Sequence, residues 1–146
     1  ITAVALLHYR LIDPQGLVLL IGSFGASAVL VYGAIRSPLA QPRNLIGGHV
    51  LSAFLGVTAF QWCGDQTWLA AAIAVSTAIA LMHLTRTLHP PGGATALIAV
   101  IGGDSVHRLG YLYGLMPAAS AALVMLLVAL AINNSPKNRR YPEFWF

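Results

Sequence analysis

Long apolar runs restrict this chain to a lipid environment. Four stretches of mainly apolar residues are about as long as the roughly 20 residues that cross a bilayer as a helix. Of the whole chain, 58% is hydrophobic and only 8% is charged, whereas soluble domains carry about 25% charged residues. We therefore predict an all-α integral membrane protein that contacts the lipid bilayer. The four runs are 17–35, 45–62, 67–85 and 109–132.

One short segment, 89–93, breaks the apolar pattern with the sequence His-Pro-Pro-Gly-Gly. Proline has no N–H to donate, and it disfavours the helical conformation of the residue before it. The apolar run from Ala94 to Ile101 can then resume a helix. The first N–H groups of a helix have no partner within it, and the helix dipole favours an anion there. We therefore predict a half-helix whose start is an anion site in apolar surroundings.

The chain is expected to hold five to six membrane segments, counting an apolar stub at 1–12 and the broken segment 89–102. Two courses are open for the broken segment, which either crosses the membrane or returns to the side it came from. Basic residues mark cytoplasmic loops, and a crossing lets the basic and acidic turns alternate along the whole chain. It also places both chain ends on the cytoplasmic side. The turns alternate between Asp13, Asp65 and Asp104 on one side and Arg36, Arg43, Arg86 and the basic tail on the other.

A weak internal similarity appears at an offset of 68 residues. Residues 24–30 resemble residues 92–98, so that Gly25 falls on Gly93 and Ser27 on Thr95. We predict a single domain over 1–146 with halves at about 1–63 and 67–132 and a polar tail at 133–146. Halves with an odd number of crossings form an inverted repeat, in which the interrupted segments meet near the membrane midplane. Gly25 and Gly93 are then expected to lie close together.

Three motifs in order give the chain a resemblance to the HPP family of integral membrane proteins. They are the His-Pro-Pro segment at 89–97, the small-residue stretch at 24–30, and the loop at 37–44 with the Gly-Gly-His at 47–49. The resemblance implies a multi-pass protein, usually described with about four transmembrane helices. Family members in chloroplasts and cyanobacteria are associated with nitrite transport, and some bacterial members carry a regulatory CBS domain. It therefore implies a bacterial inner membrane or a chloroplast membrane.

Two functions follow as hypotheses. The first is a channel or transporter for a small inorganic anion, nitrite by resemblance. The second is a membrane sensor or anchor that signals to a partner or to a regulatory domain outside this sequence. The candidate anion-binding residues are Gly25, Ala26, Ser27, His89, Pro90, Pro91, Gly92, Gly93, Ala94 and Thr95, and the candidate pore-entrance residues are Arg43, Asn44 and His49.

Each candidate also has a purely structural interpretation. The glycines favour close helix packing, and serine or threonine hydroxyls inside helices often bond their own backbone carbonyls. His89 could donate to an anion, relay a proton or bond a backbone carbonyl. Arg43 could attract anions or only anchor the topology.

Other functional classes lack sequence support. The chain carries a net charge of +4, but its basic residues lie in loops and the tail rather than on one face, so we expect no nucleic-acid partner. We also expect no enzyme activity, because phosphate-binding loops, nucleophile elbows and paired carboxylates are missing from the sequence. No cofactor and no metal site are expected, since Cys63 is the only cysteine and no two histidines share a His-x-x-x-His spacing. Assembly with further copies of the chain remains open.

Overall fold

The computed structural model describes residues 1–13 and 20–145. Its described part is helical and contains no strand. The predicted turn at 13–16 and the beginning of the predicted span at 17–35 fall largely on residues 14–19, outside the described residues. The helices are α1 (Thr2–Ile12), α2 (Ser23–Gly33), α3 (Pro42–Cys63), α4 (Thr67–Leu84), α5 (Pro90–Ile101), α6 (Asp104–His107) and α7 (Gly114–Asn133).

Helix lengths divide the described apolar helices into two groups. Three of them, α3, α4 and α7, are long and apolar enough to cross a membrane. Another three, α1, α2 and α5, are apolar but shorter. The prediction of an all-α protein is confirmed, whereas the number of crossings and the inverted repeat stay predictions.

The helix after the break begins earlier than the sequence suggests. It starts at Pro90 rather than near Ala94, and His89 precedes it in extended conformation with φ −139° and ψ 102°. Proline suits the first turn of a helix because its φ is already helical and the missing N–H is not needed there. Gly92 and Gly93 therefore belong to the first turn of α5, and the break lies in the extended residues before Pro90.

α5 runs alongside α3, in the same direction. Near the start of α3, Arg43 donates to the Thr85 carbonyl just before the break. Further along α3, a Cβ at Gly56 would lie 2.7 Å from the Ala99 Cβ of α5. Beyond α5, the His107 ring of α6 stacks on Phe60 near the end of α3, with ring centroids 3.7 Å apart. Residues 85–101 thus follow most of the length of α3, as a crossing segment would, instead of turning back to its beginning.

Small residues let α3 and α5 approach closely. A Cβ at Gly92 would lie 2.8 Å from the Gly48 carbonyl oxygen and 2.9 Å from Ser52 Oγ. A Cβ at Gly56 would lie 2.5 Å from the Ala96 carbonyl oxygen. All three distances are below any ordinary carbon contact, so these positions require glycine for the present packing.

α7 returns to the side where α2 ends. Before its first turn, the Tyr113 hydroxyl donates to the Thr95 carbonyl of α5 at 3.1 Å. At its last residue, the Asn133 side-chain amide donates to the Val31 carbonyl of α2 at 2.9 Å. α7 therefore fixes both short helices, α2 and α5, against the bundle.

Candidate functional site

Five polar side chains meet inside the bundle, and we call them the buried polar network. Ser23 and Ser27 come from α2, His49 from α3, His89 from the residue before α5, and Thr95 from α5. Ser23 is 2% exposed and the other four are fully buried. Polar groups removed from solvent need hydrogen-bond partners, and among the described residues every buried side-chain nitrogen and oxygen has one.

His49 lies at the centre of the network. Its Nε2 is 2.7 Å from Ser27 Oγ, and its Nδ1 is 2.7 Å from Thr95 Oγ1. The Phe24 ring packs against its imidazole with ring centroids 4.8 Å apart. Ser27 and Thr95 are the two hydroxyls that the offset of 68 residues pairs, and they hold opposite nitrogens of one histidine.

His89 connects the network to the loop between α2 and α3. Its Nδ1 is 2.8 Å from the Leu39 carbonyl oxygen, and its Nε2 is 2.8 Å from Ser27 Oγ. A carbonyl oxygen can only accept, so the Nδ1 of His89 carries a proton and donates it. In a neutral imidazole the other nitrogen is then an acceptor, and the Ser27 hydroxyl donates to His89 Nε2.

The remaining contacts follow from proton counting. The single Ser27 proton is given to His89, so the neutral network requires His49 to donate from Nε2 to Ser27 Oγ. The Nδ1 of His49 is then an acceptor, and the Thr95 hydroxyl donates to it. With both histidines neutral, the hydrogen bonds all point from Thr95 towards Leu39.

The hydroxyls have further acceptors within reach. Thr95 Oγ1 lies 2.8 Å from Ser23 Oγ and 3.3 Å from the Pro91 carbonyl oxygen. Ser27 Oγ lies 3.2 Å from the Ser23 carbonyl oxygen. Each hydroxyl can therefore turn its proton to another acceptor if a histidine nitrogen stops accepting.

The first three residues of α5 offer no free backbone donor. Pro90 and Pro91 have no N–H, and the Gly92 N–H donates to the His89 carbonyl at 2.7 Å. At α2, the Phe24 and Gly25 N–H groups donate to the Ile21 and Gly22 carbonyls. The double proline that marks the break in the sequence itself removes two of the N–H groups that a helix start otherwise offers.

Gly25 and Gly93 do not contact each other through the positions that a Cβ would take. A Cβ at Gly25 would find no atom within 4 Å, and one at Gly93 would meet only Val75, at 4.0 Å. The helices turn these glycines away from the network, because Ser27 and Thr95 occupy the facing sides. Ala26 is exposed, and Ala94 borders two apolar grooves of about 520 Å³ and 480 Å³ that also include Pro90.

The predicted pore-entrance residues separate into two groups. Arg43 donates to the Thr85 carbonyl, and the Asn44 side-chain amide donates to the Leu88 carbonyl at 2.8 Å. Both therefore hold the extended segment before α5. His49, in contrast, lies in the middle of the network rather than at an entrance.

Sequence reasoning missed two members of the site. Ser23 precedes Ser27 by four residues and so shares its helix face, a spacing that could have identified it. The Leu39 carbonyl could not have been found, because a backbone acceptor from a turn leaves no trace in residue identity.

The buried polar network lies where short helices meet inside a bundle of membrane-length apolar helices. This arrangement defines a multi-pass helical membrane protein with an internal polar site. Within residues 1–13 and 20–145, no group of three or more histidine, cysteine or acidic side chains is placed so that it could hold a metal ion.

Comparison with known proteins names the family. The HPP transmembrane region matches residues 1–142, and the chain belongs to the HPP transmembrane family. Two transmembrane proteins of Dictyostelium discoideum are 50% and 48% identical over the whole chain. This chain covers 48% and 52% of their lengths, so it spans about half of these relatives. No solved structure matches the chain.

Proposed function

We propose that the protein moves a small inorganic anion across the membrane, with nitrite as the substrate suggested by its resemblance to the family. The path follows the junction of α2, α3 and α5 and passes the buried polar network. The compartment is then the one that handles nitrite, such as a chloroplast or bacterial inner membrane.

The supporting observation is the pair of hydroxyls on His49. Polar side chains inside a membrane are costly and mark substrate pathways by default. Here Ser27 and Thr95 approach the two nitrogens of one imidazole at 2.7 Å each, with no exposed atom on either hydroxyl residue.

The chemistry of the network suits a small anion. Its side chains offer hydroxyl and imidazole protons, which are donors that an anion accepts, and none of them carries negative charge. We propose that the described arrangement is the closed form, in which the hydroxyls bond the histidines. In the open form an anion takes the place of one of these acceptors.

The test is anion flux in proteoliposomes that contain only this protein. Nitrite should enter these proteoliposomes faster than it enters protein-free liposomes, whose uptake measures the uncatalysed leak of nitrous acid. It should also enter faster than formate, nitrate or chloride. A protein that inserts and folds but shows no flux for any of these anions contradicts the proposal.

A hydroxyl deletion localises the path. Thr95→Val keeps the side-chain shape and removes a bond worth about 0.5–1.5 kcal/mol, which predicts about a 2- to 13-fold loss of affinity. Thr77→Val is the matched control, because the half-buried Thr77 lies on α4, outside the network, and its hydroxyl bonds its own helix at the Ile73 carbonyl. Equal losses in the two variants contradict a path through the network.

A second candidate function, that of a sensor, has an observation of its own. The tail after α7 is bonded to the loop that holds His89. The Tyr141 hydroxyl donates to the Ala40 carbonyl at 2.7 Å, and the Glu143 N–H donates to the Gln41 side-chain oxygen at 2.9 Å. Burial raises the pKa of the Tyr141 hydroxyl, which keeps it protonated as a donor.

We call these contacts of Tyr141 and Glu143 the tail strap. The tail strap would link a region beyond the tail to the network, since Leu39 precedes Ala40 directly. A sensor of this kind should bind a partner and show no flux in liposomes. Flux of any of the tested anions through the unmodified protein argues against a sensor.

A further inference from the structure

We infer that the buried polar network is a proton relay that takes up one proton together with each anion. The relay follows from the network's geometry alone, whereas its coupling to an anion rests on the proposed function. Together they make the protein a proton-coupled carrier rather than a passive channel.

The network has two complete hydrogen-bond patterns. In the neutral pattern, protons sit on Thr95 Oγ1, His49 Nε2, Ser27 Oγ and His89 Nδ1, and all bonds point towards the Leu39 carbonyl. Each donor has one acceptor, and each histidine nitrogen has one partner.

Adding one proton at Thr95, the end of the network opposite Leu39, gives the second pattern. The entering proton binds Thr95 Oγ1, the proton of Thr95 passes to His49 Nδ1, that of His49 Nε2 to Ser27, and that of Ser27 to His89 Nε2. One proton has entered, each hydroxyl again holds one, and His89 is now an imidazolium that still donates to Leu39.

The charged pattern is as fully bonded as the neutral one. His89 Nε2 donates to Ser27, Ser27 to His49 Nε2, and His49 Nδ1 to Thr95, across the same distances of 2.7–2.8 Å. Thr95 then donates to Ser23 Oγ at 2.8 Å or to the Pro91 carbonyl at 3.3 Å. Proton transfer therefore needs hydroxyl rotation but no backbone movement.

The added charge has no counter-ion on the four helices α2, α3, α4 and α5. α2, α3, α4 and α5 carry no aspartate, glutamate or lysine. Apart from the two network histidines, their titratable or charged side chains are Tyr32, Arg43, Cys63 and His83, and Tyr113 joins from the segment before α7.

An unpaired charge inside the membrane is expensive, and a buried charge is tolerated when an opposite charge accompanies it. A monovalent anion next to the protonated network supplies that charge. The anion lowers the free-energy cost of burying the added proton, and the protonated network lowers the cost of burying the anion. Proton and anion are therefore expected to bind together in a ratio of about one.

The relay also has a direction along the bundle. Ser23 lies ten residues from Gly33, about 15 Å along α2, whereas His89 bonds the turn that follows α2. The network thus extends from the loop with Arg36, next to Arg43 at the start of α3, through about half of a hydrocarbon core of roughly 30 Å.

The first experiment tests the relay without transport. In protein reconstituted into lipid with ¹⁵N-labelled histidine, solid-state NMR at pH 7.5 should show His89 protonated at Nδ1 and His49 at Nε2. His49→Gln and His89→Gln variants assign the two signals. A neutral His49 protonated at Nδ1 overturns the relay, because His89 Nε2 then has no donor.

The second experiment tests the coupling. A nitrite gradient is imposed on proteoliposomes that hold a trapped pH dye, at a pH well above the pKa of nitrous acid. The uptake measured with protein-free liposomes is subtracted. Proton uptake should match nitrite uptake about one to one, and a membrane potential set by valinomycin and potassium should not change the rate. Nitrite flux that follows the potential without proton uptake overturns the coupling while leaving anion transport intact.

Two variants at one position separate the relay from the fold. Thr95→Ser keeps the hydroxyl and should retain a proton-to-nitrite ratio of about one, whereas Thr95→Val should lower the ratio at least fivefold. A ratio in Thr95→Val equal to that in Thr95→Ser overturns the relay. If nitrite flux is missing altogether, the proposed function fails, and the histidine protonation sites then decide the relay on their own.

Discussion

Alanine substitutions at Gly92 and Gly93, two adjacent glycines of α5, are expected to affect the stability of the protein in opposite ways. At Gly92 the new Cβ would lie 2.8 Å from the Gly48 carbonyl oxygen, 2.9 Å from Ser52 Oγ and 3.1 Å from the Gly48 carbonyl carbon. At Gly93 its nearest neighbour would be Val75 Cγ1, at 4.0 Å. The two positions share one helical turn but face different surroundings.

The comparison isolates the packing contribution. Both substitutions gain the helix propensity of alanine over glycine, about 0.8–1.0 kcal/mol, so this gain cancels in the difference between them. The contact at Gly92 is about 0.6 Å shorter than an ordinary carbon contact, and overpacking of this kind costs about 1–3 kcal/mol. Gly92→Ala should therefore be about 1–3 kcal/mol less stable than Gly93→Ala, and Gly93→Ala no less stable than the unmodified protein.

The assay is reversible unfolding in mixed micelles, with the unfolding free energy of each variant measured at the same detergent composition. Backbone atoms of α3 provide two of the three short contacts at Gly92, so side-chain rotation cannot relieve them. Equal unfolding free energies for the two variants would refute the close approach of α3 and α5. Gly25→Ala, with open space around its Cβ, serves as a further control.

Two other predictions concern the tail and the topology. Tyr141→Phe leaves the buried Ala40 carbonyl without its donor, so it should lower the free energy of unfolding by about 1–3 kcal/mol. It should also expose the tail to protease, which limited proteolysis would detect. Unchanged cleavage would contradict the contact between the tail and the loop. Single cysteines at positions 65, 104 and 138, in a Cys63→Ala background, should be labelled by an impermeant reagent from outside at 65 and 104 but not at 138. Labelling at 138 with protection at 104 would overturn the crossing course of 85–101.

The helical class of the fold could be predicted from the sequence, because apolar length and scarce charge are properties of the residues themselves. Long uncharged runs have no stable alternative in lipid to a helix that satisfies its own backbone. The interruption before α5 followed in the same way from Pro90 and Pro91, whose rings restrict their own and the preceding backbone. The start of the helix was misplaced by four residues, because the same rings fit a first turn.

The members of the site were largely predictable, but their arrangement was not. Ser27, Thr95, His49 and His89 stand out in the sequence as polar residues in or beside apolar runs, and the offset of 68 residues pairs the two hydroxyls. That both hydroxyls bind one imidazole, and that Leu39 fixes the protonation of the other, depends on how α2, α3 and the loop between them pack. Contacts between residues 22 to 50 positions apart are set by the rotation and depth of whole helices.

The roles of the glycines show the same division. Sequence alone marks Gly25, Gly92 and Gly93 as sites where backbone could come close, because each lacks a side chain. Only the packing decides that Gly92 lies against α3 while Gly25 and Gly93 face open space. A residue carries its own conformational limits and polarity, which the sequence states directly. The face it presents is set by the helix as a whole, and that is fixed only when the helices pack.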